Sequence, residues 1–236
     1  MPSSFQILCD FDGTIALEDV TDAILTGMAA PEWHEIEREW AQGRIGSRAC
    51  MTRQIALLSG QWADLHRIVD AIPIDPDFSR FVAFCAVRDL LLTVVSDGLD
   101  AAIHRILSRE GLSLPVRANR LQRWADGSWS LDTPFASPSC SADAAHCKCL
   151  SLSRRSDTVT VVIGDGRSDI CVAERADFVF ARSLAGEPST LLKHCRASGL
   201  PHLPYATFAD VIGGLDALAR QASPGTARIK DFELHG

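Results

Sequence analysis

A chain of 236 residues can bury a sizeable core, and its length favours one domain with an insertion over two full domains. The formal net charge of −7, with no basic tract, argues against nucleic-acid binding as the main function. No apolar run is long enough to span a bilayer, and residues 1–4 lack the basic start of a leader, so we expect a cytoplasmic protein that acts on small substrates.

The first predicted strand ends in acidic side chains. Apolar residues run from Phe5 to Cys9, and Asp10, Asp12 and Gly13 follow. Because alternate residues of an extended chain point the same way, the two carboxylates would share one small volume. Their repulsion is relieved by a cation between them or by a proton on one of them. An Asp-Gly turn or an EF-hand loop would begin similarly, although the bidentate Glu of an EF-hand is absent.

A long helical segment separates this strand from the next. Apolar residues recur at helical spacing in five stretches, Asp19–Met28, Pro31–Gln42, Ser47–Leu58, Gln61–Ile72 and Asp77–Val87. A segment of this length is too long for a simple crossover between strands. We therefore expect residues 16–75 to form an inserted helical subdomain, and residues 1–15 and 76–236 to form the core domain.

Two later apolar runs end in the same way as the first. Leu90–Val95 stops at Ser96-Asp97-Gly98, and Val159–Ile163 stops at Gly164-Asp165-Gly166-Arg167-Ser168-Asp169. In an open parallel α/β sheet, ligands bind outside the carboxyl ends of the strands. The three strand ends are therefore predicted to converge on one site.

The rest of the chain alternates between helical and strand patterns. The predicted elements are a helix over Leu99–Glu110, a hairpin of Val116–Trp124 and Ser128–Leu131, a helix after Lys148, a helix over Ile170–Arg175, a strand over Phe178–Ala181, and helices over Leu191–Ser198 and Phe208–Arg220. The polar segment Gln221–Gly236 is expected to be a frayed tail.

The eight cysteines could suggest a disulfide scaffold. Cys9, Cys85 and Cys171, however, fall within predicted strands or helices, which favours reduced, packed thiols. A loop from residue 140 to 149 brings together the soft ligands Cys140, His146, Cys147 and Cys149. Their spacing matches no common zinc pattern, which favours an irregular cysteine-rich loop over a metal site.

The side chains at the predicted strand ends suit phosphoryl transfer. Asp10 is the candidate nucleophile, and Asp12 is the candidate acid and base, which protonates the leaving oxygen and later deprotonates water. Ser96 and Lys148 would hold the phosphoryl oxygens, although alone a Ser is usually a helix cap and a Lys a surface residue. Mg²⁺ bound by Asp10, Asp165 and the backbone carbonyl of Asp12 would offset the repulsion between anions.

The order and spacing of these groups resembles the four motifs of the haloacid dehalogenase superfamily. The motifs are Asp10-Phe11-Asp12-Gly13-Thr14, Ser96, Lys148 and Gly164-Asp165-Gly166-Arg167-Ser168-Asp169. The resemblance implies a Rossmann-like three-layer parallel sheet, a helical C1 cap inserted after the first motif, and Mg²⁺. It also implies that Asp169 supports the metal site or Lys148 without binding the metal. The second aspartate of the first motif favours a phosphatase, because the dehalogenating branch lacks an acid there.

Shorter matches resemble one branch of that superfamily, the methionine-salvage phosphatases. These matches are Pro31-Glu32-Trp33, Phe81-Val82-Ala83-Phe84, Cys147-Lys148-Cys149, Phe180-Ala181-Arg182 and His202-Leu203-Pro204-Tyr205. The resemblance implies a small phosphorylated metabolite as substrate, 2-hydroxy-3-keto-5-methylthiopentenyl-1-phosphate. The net charge and the lack of a long apolar run indicate no nucleic-acid or membrane partner, and a homodimer is left open.

Two positions depart from the pattern of these relatives. Asp97 stands where a glycine is usual, so the expected phosphate-binding group of Ser96, Asp97, Gly98 and Lys148 contains an unfavourable carboxylate. Asp19 lies near the place where phosphoserine phosphatases bind the substrate ammonium, and Arg53 could meet a substrate carboxylate. Asp19 could equally cap its helix. Phosphoserine or another small phosphomonoester is therefore the alternative substrate, and a phospho-ligand binding module is the alternative to an enzyme.

Overall fold

The computed structural model describes residues 4–140, 142–153, 155, 157–184 and 187–221. The expected tail lies outside the described residues from residue 222 onward.

A mostly parallel sheet forms the centre of the molecule. Its strands are β1 (Ser4–Cys9), β2 (Leu91–Leu99), β3 (Val116–Arg123), β4 (Trp129–Asp132), β5 (Thr158–Gly164), β6 (Phe178–Leu184), β7 (Glu187–Pro188) and β8 (His202–Tyr205). The order is β4-β3-β2-β1-β5-β6-β7, with β8 also paired to β6, and only β4 and β7 of the described strands run antiparallel to their neighbours. This architecture confirms the predicted α/β fold.

Helices cover the sheet and form an insertion after β1. They are α1 (Val20–Met28), α2 (Trp33–Ala41), α3 (Ser47–Ile55), α4 (Trp62–Asp70), α5 (Phe78–Val87), α6 (Asp100–Arg109), α7 (Ile170–Ala173), α8 (Thr190–Ser198) and α9 (Phe208–Gln221). Within the described ranges, no helix combines the length and the apolar character that crossing a membrane requires.

Strand register brings the acidic strand ends to one level. Cys9, the last residue of β1, pairs with Val94 of β2 and with Ile163 of β5. Consecutive residues Ile7, Leu8 and Cys9 are all buried, because helices cover both faces of the parallel sheet. The residues that follow these aligned positions therefore emerge together at the same edge.

The helical insertion α1–α4 leaves and rejoins the sheet at one place. Ala16 and Ile74 form an isolated antiparallel bridge, and the Asp75 N–H donates to the Ile15 carbonyl at 2.9 Å. The entry and exit segments of the insertion are thus hydrogen-bonded to each other next to the end of β1.

Four elements differ from the sequence prediction, and one of them is the two-residue strand β7, which was not predicted. Strand β2 continues through Asp97 and Gly98 to Leu99, and the segment after Lys148 forms a single 3₁₀ turn, Lys148–Ser151, in place of a helix. Strand β8 was not predicted. It contains Pro204, which lacks an N–H and is tolerated here because β8 pairs with β6 at the border of the sheet.

An aromatic cluster joins α5 to α9 beneath the sheet. The rings of Phe78, Phe81 and Phe208 are fully buried, with centroids of Phe208 at 5.0 Å from Phe78 and 4.9 Å from Phe81. Rings at such distances add favourable edge contacts to the burial of apolar area.

Phe208→Ala should therefore destabilise the fold by about 3–5 kcal/mol, because it removes a buried ring and leaves a cavity. The shift of the urea unfolding midpoint measures the loss. Val87→Ala is the control, since Val87 is 81% exposed. Equal shifts in the two variants would contradict this account of the core.

Candidate active site

Lys148 lies between two carboxylates at the edge of the sheet. Its Nζ donates to Asp10 Oδ1 and to Asp169 Oδ1, both at 2.6 Å, and to Ser168 Oγ at 3.2 Å. Lys148, Asp10 and Asp169 are at most 5% exposed. Burial lowers the pKa of Lys148, but the attraction of Asp10 and Asp169 outweighs it, so this pKa is raised and the ammonium stays charged. Buried charges of this kind are stable only as a mutually paired set.

Asp10, Asp165 and Asp169 form a compact acidic triad. One oxygen from each lies within 4.8 Å of the others. Burial and then the charge of Asp169 raise the pKa of Asp165 to about 6, and the same two causes raise the pKa of Asp10. The charged triad is therefore unfavourable by itself and would be stabilised by a bound cation.

Asp169 is the member of the triad most fully engaged by the protein. Its Oδ1 accepts from Lys148, and its Oδ2 accepts from the N–H groups of Asp165 at 3.2 Å and Gly166 at 3.1 Å. Asp165 accepts from the Thr14 hydroxyl at 3.2 Å. Asp169 thus fixes both the loop after β5 and the ammonium of Lys148.

Asp12 faces the same volume as Asp10 and is held by two donors. Its Oδ1 accepts from the Val20 N–H at 2.8 Å, and its Oδ2 accepts from Ser96 Oγ at 3.4 Å. Burial, followed by the nearby charge of Asp19, raises the pKa of Asp12 to about 7. A group with this pKa can both give and take a proton near neutral pH.

Residues 96–98, at the end of β2, pack tightly against Asp12. Ser96 is fully buried, and its Oγ accepts from the Gly98 N–H at 2.9 Å. A Cβ on Gly98 would lie 2.5 Å from Asp12 Oδ2, so a side chain at this position would displace the Asp12 carboxylate. The ring of His146 also holds this segment, with Nδ1 at 2.8 Å from the Ser96 carbonyl.

The carboxylate of Asp97 is engaged by three donors. Oδ2 accepts from Ser47 Oγ at 2.6 Å, and Oδ1 accepts from the His146 N–H at 2.7 Å and from Asn119 Nδ2 at 3.3 Å. These bonds offset the cost of a carboxylate near a phosphate site, which the sequence left unexplained.

A cavity of about 250 Å³ lies between these strand ends and the helical insertion. The insertion lines it with Asp19, Asp22, Glu37, Trp40 and Met51, among others. Most of these residues carry no sequence signal that distinguishes them from other helix-surface residues. Periodicity identifies the buried face of a helix but not the cavity that the face borders.

The two residues expected to select the substrate differ in position. Asp19 lines the cavity and also caps α1, since its side chain accepts from the Asp22 N–H. Arg53 is not among the residues that line this cavity; its side chain is 47% exposed and pairs with Glu39. The helical spacing of the sequence could not show that Asp19 faces the cavity and that Arg53 does not.

Sequence reasoning missed a buried ion pair behind the first motif. Arg182 donates to the carbonyls of Gly13 and Thr14, and its Nη2 lies 3.6 Å from Asp75 Oδ2. Arg182 is 3% exposed. The sequence did show a charged residue, Arg182, directly after the apolar run Phe178–Ala181. A buried arginine at such a position indicates a paired carboxylate, which here is Asp75.

All eight cysteines are free thiols in the structure. Cys149 Sγ and Cys171 Sγ approach to 2.9 Å. The described residues of the 140–149 loop do not gather three ligand atoms in the way that the acidic triad does.

A parallel sheet with carboxylates at its strand ends, a buried lysine and a helical insertion over the site defines a phosphoryl-transferring hydrolase of the α/β class. The family model for haloacid dehalogenase-like hydrolases matches residues 7–174. The chain belongs to this family.

Curated relatives agree with this assignment, and a solved structure shares the fold. The chain is 35% identical over 233 residues to a 2-hydroxy-3-keto-5-methylthiopentenyl-1-phosphate phosphatase of Geobacillus kaustophilus (strain HTA426), covering 93% of this chain and 98% of the relative. A Geobacillus thermodenitrificans (strain NG80-2) protein of the same name is 32% identical over 231 residues, covering 92% and 98%. The structure of a phospho-aspartyl intermediate analogue of phosphoserine phosphatase matches with a TM-score of 0.64 at 19% identity, covering 89% of this chain and 98% of that one. The predicted family and phosphatase class are confirmed.

The pKa of Asp12 predicts how stability depends on pH in the protein without metal. An unfolded aspartate titrates near 4, whereas folded Asp12 keeps its proton to about 7. The stabilisation by this proton is complete below pH 4 and is lost as the pH rises to 7 and above. Asp12→Asn should therefore reduce the fall in unfolding free energy between pH 4 and 7, measured by urea denaturation in EDTA. Exposed Asp132→Asn is the control, and an unchanged slope in Asp12→Asn would refute the prediction.

Proposed function

We propose that this phosphatase hydrolyses 2-hydroxy-3-keto-5-methylthiopentenyl-1-phosphate, with Mg²⁺ as its cofactor. The observation that carries the reaction is the placement of Asp10 and Asp12 in one cavity, with the Lys148 ammonium 2.6 Å from Asp10. The substrate is supported by the name of the two Geobacillus relatives, which align with this chain over nearly their full lengths.

The reaction proceeds in two displacements at phosphorus. A carboxylate oxygen of Asp10 attacks phosphorus, the ester P–O bond breaks, and the leaving oxygen takes the proton of Asp12. Water then attacks the phosphorus of the phosphorylated Asp10 and gives its proton to Asp12, which releases inorganic phosphate and restores both carboxyl groups. A pKa of about 7 suits Asp12 to both proton transfers.

The phosphoryl oxygens need donors as negative charge moves through the transition state. Lys148 supplies a positive charge. Residues 96–98 at the end of β2 supply the Ser96 hydroxyl and backbone N–H groups. Because Lys148 is held by Asp10 and Asp169, its positive charge lies next to Asp10 before the substrate binds.

The acidic triad fits a magnesium ion. Asp10 and Asp165 would bind it together with the backbone carbonyl of Asp12, because the oxygens of Asp169 already accept from Lys148 and from two backbone N–H groups. When bound, Mg²⁺ offsets the repulsion between the Asp10 carboxylate and the phosphate dianion.

We further propose that residues 16–75 act as a cap that selects the substrate, on a core formed by residues 1–15 and 76–236. The cap residues that line the cavity include the acids Asp19, Asp22 and Glu37, and they include no lysine or arginine. These acidic side chains disfavour a substrate that carries a carboxylate near them. They accept a substrate whose groups at this place are neutral and hydroxylated. Met51 contributes apolar surface suited to a methylthio group.

Phosphoserine is the second candidate substrate. Asp19 and Asp22 could pair with its ammonium group, and Arg167 of the core, which also lines the cavity, could meet its carboxylate. Arg167 lies with its guanidinium carbon 5.6 Å from the centroid of the Trp40 ring.

Asp10→Asn should abolish turnover of p-nitrophenyl phosphate, because an amide cannot serve as the nucleophile. We expect kcat to fall by at least about a thousandfold, as losses of nucleophiles do elsewhere, and EDTA to abolish the wild-type activity. Asp132→Asn, an exposed change of the same kind, should keep that activity. Ligand binding without any turnover in the wild type would identify a binding module.

Measurement of kcat/KM with Mg²⁺ on a panel of phosphate esters distinguishes the two substrates. We expect the methylthiopentenyl phosphate to exceed phosphoserine by at least about tenfold, the usual value of one well-filled apolar subsite. The reverse order would refute the proposed substrate while leaving the phosphatase reaction intact.

A further inference from the structure

Asp97 connects two parts of the molecule that are far apart in the chain. One oxygen bonds to Ser47, the first residue of α3 in the insertion, and the other bonds to the His146 N–H and Asn119 of the core. Its backbone carbonyl also accepts from Asn119 Nδ2 at 2.7 Å. The residue itself lies between Ser96 and Gly98, whose groups contact Asp12 or each other.

The insertion approaches the core closely at this point. The Arg48 N–H donates to the Asp143 carbonyl at 3.0 Å, and the Arg48 guanidinium pairs with the Asp143 carboxylate at 2.9 Å. A Cβ on Gly46 would lie 2.5 Å from Asp143 Oδ2, so glycine permits this approach. Two carboxylates, Asp97 and Asp143, thus meet the first turn of α3, where the helix dipole favours negative charge.

On the core side, the contacts of Asp97 also fix residues 96–98 at the end of β2. The backbone N–H of His146 donates to the Asp97 carboxylate, and the ring Nδ1 of His146 bonds to the Ser96 carbonyl. The ring is buried and stacks on Phe135 with centroids 4.9 Å apart, so it cannot easily shift. A displacement of the Asp97 carboxylate would therefore be transmitted to the Ser96 hydroxyl.

We propose that Asp97 is a positioning residue whose carboxylate couples the seating of α3 on the core to the alignment of residues 96–98 at the end of β2. A glycine at this position could not form the link to Ser47. The inference rests on the proposed phosphatase reaction, but it does not depend on the identity of the substrate.

The Arg48 amide provides a test that does not require activity, because its hydrogen bond crosses from the insertion to the core. Ser47→Ala should accelerate its hydrogen exchange, followed by NMR, by about tenfold, which corresponds to one lost hydrogen bond to a charged group. Thr52→Ala is the matched control. Thr52 lies on the same helix, and its hydroxyl bonds to the helix backbone at the Arg48 carbonyl.

Kinetics on p-nitrophenyl phosphate, or on the best ester of the panel, completes the test. Ser47→Ala should raise KM about fivefold with kcat changed less than about twofold, because only the contact between insertion and core is lost. Asp97→Gly removes both contacts, so it should raise KM and also lower kcat. Asp97→Asn keeps an acceptor for the His146 N–H, and its KM should lie between those of the wild type and Asp97→Gly.

Two outcomes would overturn the proposal. One is a hydrogen-exchange rate of the Arg48 amide that is the same in Ser47→Ala and Asp97→Gly as in Thr52→Ala. The other is a lower KM in Asp97→Asn than in the wild type, which would mean that the carboxylate repels the bound phosphate and faces it directly. Absence of turnover in every variant and in the wild type would refute the phosphatase reaction, and the exchange measurement would still decide the role of Asp97.

Discussion

The ammonium of Lys148, enclosed between the carboxylates of Asp10 and Asp169, is the interaction on which the site depends. A buried charge is tolerable only with opposite charge in contact, and each of these three groups supplies that condition for another. Removal of Lys148 would leave two buried carboxylates without their cation, whereas removal of either aspartate would leave the ammonium with one carboxylate. The same pairing that stabilises the fold at this edge also holds Asp10 and Lys148 in place before any ligand arrives.

Such pairing is possible because the sheet delivers the charges to one level. Asp10 and Asp165 each emerge directly after strands in aligned register, and Lys148 arrives on a short 3₁₀ turn from a loop. From the first position of this turn, its side chain reaches Asp10, which lies 138 positions earlier in the sequence.

The sequence predicted the parts of this arrangement that depend on local pattern. Apolar runs ending in Asp10 and Asp165 indicated where strands stop, and the order of the motifs identified Lys148. The contacts of Asp97 could not be predicted, because Ser47 lies 50 positions away and its helix could have faced elsewhere. Strand β8 escaped detection because Pro204 is typical of loops, and only the pairing with β6 makes it a strand.

The bridge between Ala16 and Ile74 has a consequence for how this protein can change over evolutionary time. Because the two chain crossings into the insertion are adjacent, the sheet requires only a short span between them, whatever number of helices lies beyond. Arg182 reinforces that span from the core, through the Gly13 carbonyl on one side and Asp75 on the other. Helices of the insertion beyond this span can therefore change in number or sequence without a change in the path of the sheet, except where Ser47 holds Asp97.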